Sequence, residues 1–134
     1  MPNVKHAAVL GNLRAFKDAL DDFLHSISIP EIKIPDIELA VEELLVNIMN
    51  YSYPDKEGAI ELSCEEQGQQ IICRITDEGI PFDPTEFPEP NLDGPLSDRS
   101  HGGMGIYLAR KLIDDITYQR SDNQNILTLI MKKT

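Results

Sequence analysis

From Asn12 onward, "NLRAFKDALDDFLHSI" places Leu13, Phe16, Leu20, Phe23, Leu24 and Ile27 at three- and four-residue steps. That spacing predicts an amphipathic helix with Asn12 as its N-cap. Pro30 and Pro35 in "PEIKIPD" break the period, because proline cannot donate in a helix interior. Asp36 is then placed to cap a second helix through "IELAVEELLVNIMNYSY", ended by Pro54. The stretch "GAIELSCEEQGQQIICRITD" alternates instead, as two strands around a turn near Gly68. A two-residue loop of Gly68 and Gln69 sets Cys64 opposite Cys73 and Leu62 opposite Ile75, all on one buried face.

Residues 78–103 lose all periodicity and carry five prolines and four glycines. A loop that long inside a compact domain predicts a functional lid or a disordered segment. Beyond it, "GIYLARKLIDD" reads as a third helix through Ile106, Ala109, Leu112 and Ile113, and "ITYQR" and "NILTLIMKK" form a hairpin around "SDNQ". The order helix, helix, strand, strand, loop, helix, strand, strand predicts an α+β fold. Its expected form is a two-layer sandwich with helices on one face of a mixed, mostly antiparallel sheet.

At 134 residues the chain is expected to form one domain, 1–134, with the lid at about 78–103. Its net charge of −11 argues against nucleic acid as a partner, since phosphates would be repelled, and leaves a basic protein partner open. No apolar run is long enough to span a bilayer, and "MPNVKHAAVLGN" lacks the apolar core of a signal peptide, so the expected location is the cytoplasm, with no membrane partner. Cys64 and Cys73 are expected as small core residues rather than a redox pair.

Three elements carry candidate chemistry. Glu43 and Asn47 are four residues apart on the second helix, off the centre of its apolar stripe of Ile37, Val41, Leu44, Leu45 and Ile48. A carboxylate beside a carboxamide offers oxygen ligands to Mg²⁺, or a general base, where it is not simply a solvated face. In "SHGGMGIYLARKL", Gly102, Gly103 and Gly105 precede a helix, so backbone N–H groups and the positive helix end can meet phosphates. No Gly-Lys-Ser/Thr follows, which excludes the Walker pattern. Finally, the strand ending "RITD" finishes in Asp77, which can accept a hydrogen bond from an exocyclic amine such as that of adenine, or simply start a turn. Gly79 would then keep side chains away from the base.

Taken in order, "EELLVNIMNYSYP", "DEGIPFDP" and "GGMGIYLARKLID" resemble the N, G1 and G2 boxes of the ATP-binding fold shared by gyrases, mismatch-repair ATPases, a heat-shock chaperone and histidine kinases (the GHKL group, with its Bergerat-type fold). The likeness is greatest to the small stand-alone branch, the anti-sigma-factor serine-protein kinases of bacterial partner-switching systems. The resemblance implies that Glu43 is the general base, Asn47 the Mg²⁺ ligand, Asp77 the reader of the adenine amino group with Gly79 beside the base, and Gly102, Gly103 and Gly105 the phosphate-facing glycines. It also sets Thr128, in "ILTLIM", near the adenine and its bound water, and makes Arg99 and His101 the candidate lid cations, Arg99 either on the γ-phosphate or solvated. Kinase members often carry histidine where Tyr51 stands. The prolines after Gly79 would stiffen the root of the lid.

The activity so implied is ATP- and Mg²⁺-dependent phosphorylation of a serine or threonine on an anti-sigma-factor antagonist. A sigma factor or other regulator would be the alternate partner, and the family tends to dimerise. The competing expectation is a nucleotide-gated binding module, in which ATP or ADP orders the lid with little or no turnover.

Overall fold

The computed structural model describes residues 3–86 and 103–134. Its elements run β1 (Val4–Ala7), α1 (Leu13–Ser26), α2 (Ile34–Tyr51), β2 (Ala59–Gln67), β3 (Gln70–Asp77), α3 (Gly103–Leu112), β4 (Asp115–Ser121) and β5 (Gln124–Lys132). Short 3₁₀ turns at Leu10–Asn12, Glu31–Lys33 and Pro84–Glu86 link them. The five strands form one sheet in the order β1-β2-β3-β5-β4, and every neighbouring pair is antiparallel. The sheet expected as mixed is therefore antiparallel throughout the described strands. The crossover through α3 does return β4 in the direction of β3, but β5 folds back between the two.

Alternation along the strands sends Ile60, Leu62, Ile71, Cys73, Ile75, Leu127, Leu129 and Met131 toward the helices. Phe16, Leu20 and Leu24 of α1, Leu44, Leu45 and Ile48 of α2, and Ile106 and Ala109 of α3 complete the buried layer. The helices lie on this one face because alternate residues of β2, β3 and β5 project toward it, Ile72 of β3 being the one residue buried out of phase.

The hairpin register matches the pattern: Cys64 faces Cys73, Leu62 faces Ile75, and Gly68 takes φ +58° in the loop between Gln67 and Gln70. The left-handed conformation explains the glycine. The cysteines are buried as expected, yet they are joined as a disulfide across the strand pair, with Cα atoms 4.1 Å apart, rather than packed as two thiols. In the second hairpin Asp122 and Asn123 both have positive φ, 52° and 63°, the primed turn that fits twisted strands.

Two helix starts differ from expectation. Asn12 does precede α1, but its Nδ2 donates to the Ala7 carbonyl, 3.0 Å, and caps nothing. Helix α2 begins at Ile34, ahead of Asp36, because Pro35 falls in the first turn, where no N–H is required of it. Asp36 is then an acid inside the first turn, favourable to the helix dipole without capping. The unexpected β1 is too short to carry a pattern and is held by pairing with β2 at the sheet edge.

Candidate active site

Helix α2 carries Glu43 and Asn47 toward the start of α3. Asn47 is 3% exposed, and its Nδ2 donates to the Glu43 backbone carbonyl at 2.7 Å. Its Oδ1 is buried and receives no hydrogen bond. A buried carboxamide oxygen without a donor costs stability, so its retention points to a ligand atom or cation. No protein donor among the described residues engages the Glu43 carboxylate either. A Cβ added at Gly105 would collide with Glu43 Oε2 and lie 3.7 Å from Asn47 Nδ2. Glycine is thus what lets the first turn of α3 close over this pair. Carboxylate, carboxamide and the positive helix end converge there, an arrangement suited to phosphate and a hard cation.

At the other end, β3 delivers Asp77, 2% exposed. Its Oδ1 accepts from the Gly79 N–H and from Asn125 Nδ2, both at 2.9 Å. Burial pushes this carboxyl above the usual aspartate range, against the opposing effect of Asn125, the Gly79 N–H, the Arg120 charge and the Ser52 hydroxyl. Ser52, fully buried at the end of α2, makes no hydrogen bond of good geometry through its Oγ. The same residue explains Gly79: a Cβ there would collide with the Ser52 carbonyl, which instead accepts the Ile80 N–H at 2.8 Å. Tyr53 ties down the far side, its hydroxyl donating to the Ala59 carbonyl at 2.6 Å and accepting the Glu78 N–H at 2.7 Å.

The sequence profile described as the histidine kinase-like ATPase domain matches residues 7–131. The chain belongs to that family. Among its curated relatives are a serine/threonine-protein kinase, BtrW, of Bordetella bronchiseptica, 34% identical over 69% of this chain and 66% of its own length, and an anti-sigma F factor of Clostridium kluyveri, 25% identical over 91% of this chain and 80% of its own. The serine-protein kinase RsbW of Bacillus cereus matches at 24% identity over 70% of this chain and 61% of its own length. The chain thus spans about two thirds of the two kinases. Among solved structures, the RsbU and RsbW domains from Mycobacterium tuberculosis superpose with TM-score 0.62 at 16% identity, over 98% of this chain and 32% of that one. That likeness speaks for the fold alone.

For this histidine kinase-like ATPase domain, ATP is the nucleotide the family implies. Of the expected site residues, Glu43, Asn47 and Gly105 are brought together, and Gly103 opens α3. Asp77 and Gly79 are brought together at the second end. Arg99, His101 and Gly102 lie outside the described residues, as does the lid beyond Glu86. Thr128 is not brought to Asp77. It pairs with Arg74, three residues along β5 from Asn125, and three steps along a strand reverse the face. The residue standing opposite Asp77 is Asn125, 3% exposed.

Sequence reasoning missed Asn125, Tyr118 and Arg120. The Tyr118 hydroxyl donates to Asn125 Oδ1, and an Arg120 guanidinium nitrogen donates to the same oxygen at 3.2 Å and to the Gly79 carbonyl at 2.7 Å. The only available signal was the polar Asn125 just past the "SDNQ" turn, where the strand starts its inward positions. Tyr51, one helical turn beyond Asn47, is 41% exposed and stacks obliquely on Phe82, ring centroids 5.6 Å apart.

Proposed function

We propose that the chain is a serine/threonine protein kinase and anti-sigma factor, which transfers the γ-phosphoryl group of ATP to a hydroxyl of an antagonist protein. The observation that carries this reading is the meeting of Glu43, Asn47 and Gly105 at the start of α3. The names of its relatives, two protein kinases and an anti-sigma factor, agree with it. Glu43 accepts the proton of the substrate hydroxyl as the new oxygen–phosphorus bond forms and the bond from the γ-phosphorus to the bridging oxygen breaks, releasing ADP. The N–H groups of the first turn of α3, at Gly103 and Gly105, face the phosphates, with Gly102 extending the contact and Arg99 or His101 adding lid charge. Asn47 Oδ1 suits a Mg²⁺ ion, which when bound neutralises phosphate charge. Asp77 accepts from the adenine amino group, and Gly79 lets the turn close on α2 beneath it.

The rate gain in such a site comes mostly from positioning and electrostatics, which two helices and a strand end can supply. The same reading takes a sigma factor as the alternate partner, a homodimer as the working unit and the cytoplasm as the location. No helix among the described residues is long and apolar enough to cross a membrane.

The test is transfer of labelled phosphate from Mg·ATP to the antagonist-like proteins encoded beside this gene, with wild type and Glu43→Ala in parallel and ATP binding followed by calorimetry. Transfer by wild type alone, with binding kept in both, supports the kinase. Tight ATP binding without transfer to any of them favours the nucleotide-gated module instead. Equal transfer by both proteins removes Glu43 as the base.

A further inference from the structure

Asn125 is the most heavily bonded side chain among the described residues, and no feature of the fold accounts for it. A strand position facing the helices is otherwise filled by Leu127, Leu129 and Met131. Its Nδ2 spends both protons, one on Asp77 Oδ1 at 2.9 Å and one on the Ile80 carbonyl at 2.7 Å. Its Oδ1 accepts from the Tyr118 hydroxyl, from Arg120 at 3.2 Å and from the Phe82 N–H at 3.3 Å. The three donors on Oδ1 leave the carboxamide one orientation, with the amide nitrogen toward Asp77. A leucine would satisfy the packing with none of these bonds.

We propose that Asn125 is a positioning residue for nucleotide recognition: it fixes the rotamer of Asp77 and locks the turn 79–82 to the sheet, while Tyr118 and Arg120 keep its carboxamide from flipping. The proposal rests on reading Asp77 as the acid that meets the base. Asn125 and the Gly79 N–H both end on Oδ1, so the other oxygen is the one left for an exocyclic amine. The carbonyl of Ile80 and the N–H of Phe82 are held by the same side chain, which couples the reader to the root of the lid.

The network has an electrostatic consequence that bare packing would not have. The groups facing the Asp77 carboxyl are Ser52 and Tyr53 from the end of α2, Glu78 in its own turn, Arg120 and Tyr118 on β4, with Asp83 beyond Tyr118, and Asn125 on β5. Burial favours the protonated acid, and Asn125 is the strongest of the effects opposing it. An amine donor is held more strongly by the ionised acid, so ATP affinity should fall as pH drops through the Asp77 titration. Removing the Asn125 donor moves that acid limb to higher pH.

The experiment is calorimetric titration of the full chain with ATP between about pH 4 and pH 8, for wild type, Asn125→Leu, Asn125→Thr and Asp77→Asn. Asn125→Leu should bind ATP about tenfold more weakly at neutral pH, the loss of a charge-assisted hydrogen bond, with its acid limb displaced upward. Asn125→Thr, which keeps one donor, should recover part of both effects. An Asn125→Leu protein that folds and binds ATP with unchanged affinity and an unmoved acid limb overturns the proposal. Should Asn125→Leu not fold, Tyr118→Phe decides: an upward shift of the limb, smaller than for a full deletion, supports the role, and an unmoved limb refutes it. Asp77→Asn separates the premises. If it too binds ATP normally, the reading of Asp77 fails; if it loses ATP while Asn125→Leu keeps it, the reading stands and only the role of Asn125 falls.

Discussion

The two ends of the site are built on opposite terms. Around Asp77 the protein supplies most of the partners itself: Gly79, Asn125, Tyr118, Arg120, Ile80 and Phe82 form one hydrogen-bonded network, with the Ser52 Oγ beside it left unpaired. Around Asn47 it withholds one, leaving a buried Oδ1 with no donor beside the half-buried Glu43. The first arrangement stabilises the apo protein and fixes the geometry that, on the proposed reading, meets a base. The second costs stability, and on the same reading phosphates and a cation would relieve that cost. One end would then be prepared before binding, and the other completed by it.

The sharpest test of that contrast separates chemistry from recognition. Glu43→Ala should reduce phosphate transfer by about a thousandfold, the usual scale for loss of a general base, while calorimetric ATP affinity stays near wild type. Asp77→Ala should do the reverse, weakening ATP binding by about a hundredfold as a charge-assisted bond is lost and its buried partners are stranded. If both variants lost binding equally, the two ends would be one cooperative unit and the division would be wrong.

Gly105→Ala probes the seam between α3 and α2. Because the new methyl would overlap Glu43 Oε2, either the carboxylate swings away or the helix start lifts, and transfer should fall about tenfold or more. A small residue without consequence there would mean that the close approach is not used. Asn47→Leu should act on the unfilled end in two directions. It removes the orphaned oxygen, so the melting temperature of the ligand-free protein should hold or rise, while Mg²⁺-dependent ATP binding weakens about tenfold. A large drop in melting temperature would instead show that the Nδ2 bond to the Glu43 carbonyl matters more than the unpaired oxygen.

How much of this was legible beforehand follows the distance over which each contact acts. Glu43 and Asn47 are one helical turn apart, so their common face could be read from period alone. The hairpin register of β2 and β3 was fixed by a two-residue loop and was equally local. Thr128 failed for the opposite reason: β5 meets β3 across some fifty residues of intervening chain, and no turn geometry sets that register. A slip of one or three residues changes which face a side chain occupies. The value of Asn125 was hidden by the same gap. The disulfide was hidden more subtly, since the facing positions of Cys64 and Cys73 were foreseen but a cytoplasmic expectation argued for thiols.

Besides Asn47 Oδ1 and Ser52 Oγ, a third unsatisfied oxygen tests whether withheld partners always mean an awaited ligand. Glu38 Oε1 on α2 is buried with no hydrogen bond, as Asn47 Oδ1 is. Glu38, however, can titrate. Burial, then the hydrogen bond and charge of Asp21, raise its pKa from 4.5 to about 7, against the smaller pull of His25 and Lys17. The raised folded-state value means that this group adds stability below its ordinary pKa, and that the contribution is lost as pH rises from about 4.5 through about 7. Glu38→Gln, which cannot ionise, should therefore raise the melting temperature by a few degrees in mildly alkaline buffer, change it little in acid, and leave ATP affinity untouched. Equal shifts at both pH values would show that protonation is not how Glu38 resolves its burial. Loss of ATP binding would place Glu38 in the nucleotide site and end the distinction between an oxygen that waits for a ligand and one that holds a proton.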